Sequence, residues 1–220
     1  TFKTLLPKVS TLKEKDDSLN FFNTQIAEIS KLGIIYSGLI FGILMILIAL
    51  VIKLFFVSNT ILLVILMLAL PEAINNFGYP IYIFLLGIGK AAWLSLVQFV
   101  NLIITIVGLV FGFVLFNSPI GLVGYFLSVL FGNILMLLVV SKLYSNDLKI
   151  FFANVRINKL LILIVIMLVC TIFIYLYQDQ YVLSLLSLSA TSLILFFTDL
   201  KVLNGKLYYF IKTSFNVIKR

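Results

Sequence analysis

Long apolar stretches dominate the chain, and short polar segments separate them. A helix needs about 20 apolar residues to cross the hydrocarbon core of a bilayer. Stretches of that kind, rich in Leu, Ile, Val and Phe, occur at residues 33–56, 60–88, 91–116, 119–141, 160–177 and 181–198. They are too long for strands and lack the alternation of strand sequences. The pattern predicts an all-α, polytopic membrane protein with six transmembrane helices.

The segments outside these stretches divide the chain into three parts. We expect residues 1–32 to form a cytoplasmic segment with an interfacial helix, 33–198 a six-span membrane domain, and 199–220 a basic amphipathic cytoplasmic tail. Asp17 and Ser18 can cap the first interfacial helix. Its apolar stripe comprises Leu19, Phe22, Ile26 and Ile29. Both amphipathic segments suit a surface of anionic lipid headgroups, and a cytoplasmic docking partner is the alternative.

Lys and Arg residues are concentrated on one side of the predicted spans. All 16 basic residues except Lys53 lie in the N-terminal segment, the turn after the second span, the connection after the fourth, or the tail. The opposite side has only short turns, with Asp179 as its charged residue. By the positive-inside rule, this distribution predicts that both termini of the chain are cytoplasmic. The membrane expected is the cytoplasmic membrane of a bacterium or an archaeon.

Composition narrows the possible functions. Hydrophobic residues make up 63% of the 220 residues and charged residues 11%, a balance that excludes a soluble globule and a nucleic-acid-binding domain. The chain has no His and a single Cys. His-based metal sites, Ser-His-Asp triads and disulfide scaffolds are therefore excluded. We expect no metal, no cofactor and no enzymatic activity.

Polar residues in two of the predicted spans recur at helical spacing. Glu72, Asn75 and Asn76 share one face of the second span, and Gln98 and Asn101 share one face of the third. A carboxylate near the middle of a bilayer costs several kcal/mol unless it is paired, hydrated or protonated. We therefore interpret these five residues as a cavity lining, with Glu72 as a proton or cation site. A structural hydrogen bond is the alternative for Glu72, and interhelical hydrogen bonding is the alternative for the amides.

The second span also contains residues that weaken a helix. Pro71 and Pro80 each remove a backbone N–H, and Gly78 lies between them. A kinked or broken helix near the middle of the membrane is a device of secondary transporters, so these three residues are the candidate hinge. Lys53 and Lys90 are the basic residues nearest to spans and the candidate contacts for an anionic headgroup. For Lys53, near the outer end of the first span, snorkelling to the interface is the favoured interpretation.

Small residues indicate where helices approach one another closely. Gly38 and Gly42 in the first span, and Gly108 and Gly112 in the third, have the spacing of the GxxxG motif. Such pairs let two helix backbones come into contact. Tight helix packing is the interpretation that these glycines favour.

The order of several short motifs resembles a known transporter family. The motifs are a Pro-x-x-Ser sequence at residues 7–10, a small-residue and basic turn at 87–90, an outer turn with a Gly-x-x-Gly entry at 117–124, and a basic exit at 142–144. Together they resemble the C-terminal half of the polysaccharide (oligosaccharide-lipid) flippases. These belong to the multidrug/oligosaccharidyl-lipid/polysaccharide exporter superfamily.

The resemblance implies a fold and a function. The six spans would be the ninth to fourteenth of a fourteen-span protein, whose N-terminal lobe this chain lacks. The protein would carry a polyprenyl-pyrophosphate-linked oligosaccharide, such as an O-antigen or capsule repeat unit, across the membrane by alternating access. Protons or Na⁺ would be the coupling ion, and polysaccharide assembly enzymes would be partners. Few basic residues lie near the spans, which departs from the cationic cavity of the family.

Three other functions compete with this one. A multidrug or cation exporter of the same superfamily is the nearest. A membrane enzyme of polysaccharide assembly belongs to another class, and the very short outer turns argue against it. An accessory subunit without transport activity would need neither Glu72 nor the polar faces.

Overall fold

The protein is described here by a computed structural model. It describes the parts of the chain at residues 2–12, 15–55, 59–115, 122–144, 148–176 and 186–196. Nearly all of these residues are helical, and no strand occurs among them. The helical prediction is therefore confirmed for the described ranges. The basic tail at 199–220 lies outside them.

The helices follow the apolar stretches closely. They are α1 (Phe2–Ser10), α2 (Lys15–Phe21), α3 (Ala27–Phe55), α4 (Asn59–Gly87), α5 (Ala91–Leu109), α6 (Leu122–Tyr144), α7 (Lys149–Val155), α8 (Ile157–Leu176) and α9 (Leu186–Phe196). A π-helical segment, Phe22–Ile26, joins α2 to α3, and a second, Val110–Leu115, extends α5.

Several of these helices can cross a membrane. Within the described ranges, the segments Asp16–Ile48, Ala91–Gly112 and Leu122–Tyr144 are long and apolar enough. The pair α7 and α8, bent by 61°, makes a fourth if it is counted as one span. These helices are compatible with a multi-pass membrane protein. The number of six spans and the relation to a fourteen-span protein stay predictions.

Helix α4 lies at the centre of the bundle. It packs against α1, α3, α6 and α8, whereas α5 packs mainly against α6 and barely touches α4. The outer face of α5 exposes large apolar side chains such as Phe99 and Ile106. In a bilayer, that face would contact lipid, since lipid chains are as apolar as these side chains.

One end of the bundle, which we call the basic end, carries Lys8, Lys90 and Lys142. The ammonium of Lys142 lies 5.9 Å from the ring centroid of Trp93. Helix α1 packs there against α4, where Val9 occupies the space beside Gly87. Three of the basic residues that the sequence assigns to one side, Lys8, Lys90 and Lys142, are thus found at one end of the described bundle.

An aromatic cluster fills the basic end. Phe22, Phe84 and Phe151 are fully buried, and the ring of Phe22 lies 4.5 Å from that of Phe151 and 5.0 Å from that of Phe84. Phe22 and Ile26 belong to the stripe for which the sequence suggests a lipid surface. In the structure they are buried against protein, because α7 folds back under α3 and covers them.

The expected helix start at Asp17 and Ser18 is also different in the structure. Helix α2 begins at Lys15, so both residues lie within its first turn and do not cap it. The helix then continues through the π-helical segment into α3. There the backbone carbonyl of Asn23 accepts a hydrogen bond from the Asn154 side chain of α7 at 2.7 Å, which ties α7 to this segment.

Three glycines of the two GxxxG pairs lie at contacts between helices. Gly38 lies against the ring of Phe196, and Gly42 against Leu193, so α9 packs on α3. Gly108 faces Gly124 with the two backbones in contact. A side chain at any of these positions would force the two helices apart.

Candidate functional site

A cavity of about 760 Å³ lies between α4, α5 and α6. Its wall is formed by Glu72, Asn75, Asn76, Gly78, Tyr79 and Tyr82 of α4, by Gln98, Asn101, Leu102 and Thr105 of α5, and by Tyr125, Ser128, Val129, Gly132, Asn133 and Met136 of α6. All five polar residues that the sequence predicts for a cavity lie on this wall. The wall has no Lys or Arg in the part of the chain that the structure describes.

Helical spacing explains why these residues meet. Steps of three and four residues keep side chains on one face of a helix. Helices α4 and α5 turn their polar faces toward the same gap, because α6 packs against both and separates them on one side. The opposite face of α5 carries only apolar side chains such as Ile103 and Val107, which are exposed.

A carboxylate occupies one end of the cavity. The hydroxyl of Tyr125 donates a hydrogen bond to Oε1 of Glu72 over 3.2 Å, and Asn75 is within hydrogen-bonding reach of the same hydroxyl. Glu72 lies near the middle of α4, and its side chain is exposed to the cavity. We call this part of the wall the carboxylate end.

The middle of the cavity is held by a short chain of hydrogen bonds between α5 and α6. The hydroxyl of Thr105 donates to Oγ of Ser128 at 2.8 Å, and that hydroxyl donates to the backbone carbonyl of Tyr125 at 2.8 Å. Both hydroxyls are therefore already used within the protein. The bond between them ties α5 to α6.

Two amides form the other end, which we call the amide end. The Asn133 side chain lies where a Cβ at Gly78 would be, and the Asn101 side chain lies against Gly132 in the same way. Asn133 donates to the carbonyl of Val129 at 2.8 Å. The Oδ1 atoms of Asn101 and Asn133 are buried and accept no hydrogen bond from any described residue. Unsatisfied acceptors of this kind cost about 1–3 kcal/mol each.

The sequence leaves two roles open for the amides, cavity lining and interhelical hydrogen bonding, and Asn76 has both. Its side chain lies on the cavity wall and also donates a hydrogen bond to Oγ of Ser37 on α3 at 2.9 Å. Sequence reasoning missed Ser37. The available signal is a small polar side chain beside Gly38 in a mostly apolar stretch, and that signal identifies no partner.

Aromatic side chains complete the wall toward the basic end. The rings of Tyr79 and Tyr82 are nearly parallel, with an interplanar angle of 14° and centroids 6.1 Å apart. Both residues line the cavity, so this part of its wall is aromatic. Such a surface suits either the apolar face of a sugar ring or an organic cation.

The candidate hinge and the candidate lysines, unlike the five polar residues, are not brought together at the cavity in the way that the sequence suggests. Helix α4 continues without interruption through Pro71 and Pro80, so the broken helix that these residues suggest is absent. Gly78 gives Asn133 room to approach instead. Lys90 lies in the turn between α4 and α5, away from the cavity wall, and the Lys53 side chain is outside the described residues. The hinge and headgroup roles stay predictions.

No family model, curated protein or solved structure matches this chain. The resemblance to the oligosaccharide-lipid flippases therefore stands on the sequence motifs alone. The cavity is an independent observation, since none of the motifs at residues 7–10, 87–90 or 142–144 lies on its wall.

Proposed function

We propose that the chain is part of a membrane transporter that moves a hydroxyl-rich substrate through the cavity between α4, α5 and α6. The observation that carries this proposal is the concentration of polar groups on the cavity wall, within helices that are otherwise apolar. In a bilayer, polar side chains are retained chiefly where they face one another, water or a substrate.

The chemistry of the wall favours a neutral, hydroxyl-rich head group. Amides and tyrosines can both donate and accept hydrogen bonds, and Tyr79 and Tyr82 add aromatic surface to the same wall. The volume of about 760 Å³ is within the range of about 300–1,000 Å³ that holds small molecules. The flippase resemblance adds the class of substrate, a polyprenyl-pyrophosphate-linked oligosaccharide.

The pyrophosphate would bind elsewhere than on this wall. Basic side chains are gathered at the basic end, where Lys142 and Lys90 lie close to the turn between α4 and α5. We propose that this end faces the cytoplasm, in accord with the positive-inside rule, and that the diphosphate binds on this side.

Glu72 is the candidate for ion coupling. It bonds to Tyr125 of α6, so a proton or Na⁺ that neutralises the carboxylate would weaken a contact between α4 and α6. A transporter needs such a contact to differ between its two conformations, because an ion shifts an equilibrium only by its differential affinity for the two states.

A multidrug or cation exporter is the second candidate. The specific observation in its favour is the carboxylate of Glu72, which accepts a hydrogen bond from Tyr125 on a wall that also carries Tyr79 and Tyr82. A carboxylate with aromatic faces is a common arrangement for binding organic cations. The cavity amides favour the sugar substrate, because an organic cation leaves their hydrogen-bonding groups unused.

The pool of lipid-linked oligosaccharide in cells tests the proposal. A strain deleted for the whole native gene would be complemented with the complete protein carrying wild-type sequence, Glu72→Gln, Asn101→Ala, or Asn158→Ala as the control. Asn158 is exposed on α8 and does not line the cavity. We expect complete units to accumulate on the cytoplasmic side in the deletion and the two cavity variants, with the control resembling wild type.

Other outcomes would contradict the flippase in different ways. Shortened units would indicate an assembly enzyme. An unchanged pool together with new sensitivity to cationic drugs would indicate the exporter. Normal transport and an unchanged pH dependence in Glu72→Gln would remove the role of this carboxylate in coupling.

A further inference from the structure

A second, smaller cavity adjoins the first on the other side of α4. It has a volume of about 200 Å³ and lies between α3, α4 and α8. Its wall is mainly apolar, with Ile40, Phe41, Leu44, Ala69, Ala73 and Met167 as the apolar members. Ile40 is 61% exposed, so this apolar crevice opens on the outer surface of the bundle.

The two cavities share part of their walls. Glu72 and Asn76, one turn apart on α4, line both of them. The polar cavity and the apolar crevice therefore adjoin at this turn of α4. The hydrogen bond from Asn76 to Ser37 of α3 lies at this boundary, since Ser37 also lines the crevice. A molecule with a polar head and an apolar chain could therefore occupy both spaces across a single helical turn.

We infer that the apolar crevice binds the hydrocarbon chain of an amphiphile whose hydroxyl-rich head occupies the polar cavity. This inference rests on the proposed function and deepens it, because it assigns a place to the lipid part of the substrate. The occupant is a single chain joined to the bound head group, and its continuation lies in the bilayer beyond Ile40.

The crevice acts by positioning the hydrocarbon chain of the amphiphile. A hydrocarbon chain gains no hydrophobic free energy on leaving the bilayer for an apolar wall, because lipid chains are equally apolar. A polar wall beside the head group, however, would penalise the chain. The crevice thus lets the head enter the polar cavity while the chain stays in apolar surroundings, and it fixes the side from which an amphiphile enters.

Photocrosslinking in nanodiscs tests this inference on the full chain. One probe is an alkyl maltoside with a diazirine at the end of its single chain, and the other is a phosphatidylcholine with a diazirine in one chain. We expect the maltoside to label residues 40–44 and 69–73 preferentially. Excess free maltose should suppress this labelling, because it competes for the polar cavity. Labelling by phosphatidylcholine should not respond to maltose.

Two variants fill the crevice. Ala69→Phe adds a ring at a half-buried position of its wall, and Ile40→Trp does so at the exposed mouth, where it cannot disturb the core. In each, maltoside labelling of the crevice should fall about tenfold, because overpacking excludes the chain. Ala92→Phe, at an exposed position on α5 outside both cavities, is the matched control and should label as wild type does.

The outcomes separate the two proposals. Equal labelling of the crevice by both probes, with no effect of maltose, would overturn the inference. The inference would also be overturned if maltose suppressed maltoside labelling at positions other than residues 40–44 and 69–73. Preferential maltoside labelling that responds to Ala69→Phe but not to maltose would support the crevice and count against a sugar in the polar cavity.

Discussion

The two faces of α4 differ in packing and in chemistry. One face places Ala73, Phe77 and Phe84 in the protein interior, where all three are buried. The other carries Glu72 and Tyr79, which are exposed to the polar cavity. Both faces belong to one continuous helix, so the same backbone anchors the bundle and supplies the candidate binding surface.

This difference separates stability from function. Apolar side chains on the packed face lose contacts when they are shortened, because interiors are packed as densely as crystals. Polar groups on the cavity face contribute little to stability, and the unsatisfied carbonyls of Asn101 and Asn133 oppose it. Substitutions on the two faces should therefore affect different measurements. The predictions below run from the largest expected effect on stability to the smallest.

Removing an aromatic ring from the packed face should have the largest effect. Phe84 is fully buried and packs 5.0 Å from Phe22 and 6.1 Å from Tyr144, between ring centroids. Phe84→Ala should lower the free energy of unfolding in detergent by about 3–5 kcal/mol, as large-to-small core substitutions do. Tyr79→Ala on the cavity face is the control. An equal loss in both variants would show that the faces do not differ.

Adding a methyl group at the amide end should cost less. Gly78→Ala places a Cβ where the Asn133 side chain lies, so we expect a loss of about 1–3 kcal/mol from overpacking. The same substitution in an Asn133→Ala background should cost less than half as much. An identical cost in both backgrounds would mean that Asn133 does not occupy this space. Thermal unfolding of the four proteins makes the comparison.

The hydrogen bond between α4 and α3 should contribute a small amount. A double-mutant cycle with Asn76→Ala and Ser37→Ala measures the coupling between the two side chains, which are joined at 2.9 Å. We expect about 0.6 kcal/mol, the average for interhelical hydrogen bonds in a membrane protein. A coupling near zero would mean that Asn76 acts only as part of the cavity wall.

Neutralising the carboxylate should leave stability almost unchanged. Glu72→Gln keeps the size of the side chain and an acceptor for the Tyr125 hydroxyl, so the free energy of unfolding should change by less than about 0.5 kcal/mol. Transport of the lipid-linked oligosaccharide by the complete protein should nevertheless be lost. A large loss of stability would instead place Glu72 among the structural residues of α4.

Much of the helical architecture could be predicted from sequence periodicity. The apolar stretch at 60–88 corresponds to α4 (Asn59–Gly87) within one residue at either end, and the polar residues at steps of three and four share one face. The cavity wall followed from the same spacing, because Glu72 and Asn101 had to face something other than lipid. These inferences depend only on helix geometry and on the cost of a polar group in hydrocarbon.

The tertiary partners could not be predicted in this way. An amphipathic stripe has the same pattern whether it covers a lipid surface or protein, so the pattern predicts a membrane surface for Phe22 although Phe22 packs on Phe151 of α7. Similarly, the sequence cannot reveal that Asn76 pairs with Ser37 or that Gly78 accommodates Asn133. Those contacts depend on which helices are neighbours, and spacing along one helix does not contain that information.

Reaction of single cysteines with a water-soluble maleimide in native membranes tests most directly whether the cavity is an aqueous path. In a Cys170→Ala background, which removes the single cysteine, Tyr79→Cys lies on the cavity wall, Ile106→Cys on the exposed outer face of α5, and Phe77→Cys on the packed face of α4. We predict rapid reaction at 79 and none at 106 or 77. Equal protection of 79 and 106 would show that lipid fills the cavity and would contradict a transport path through it.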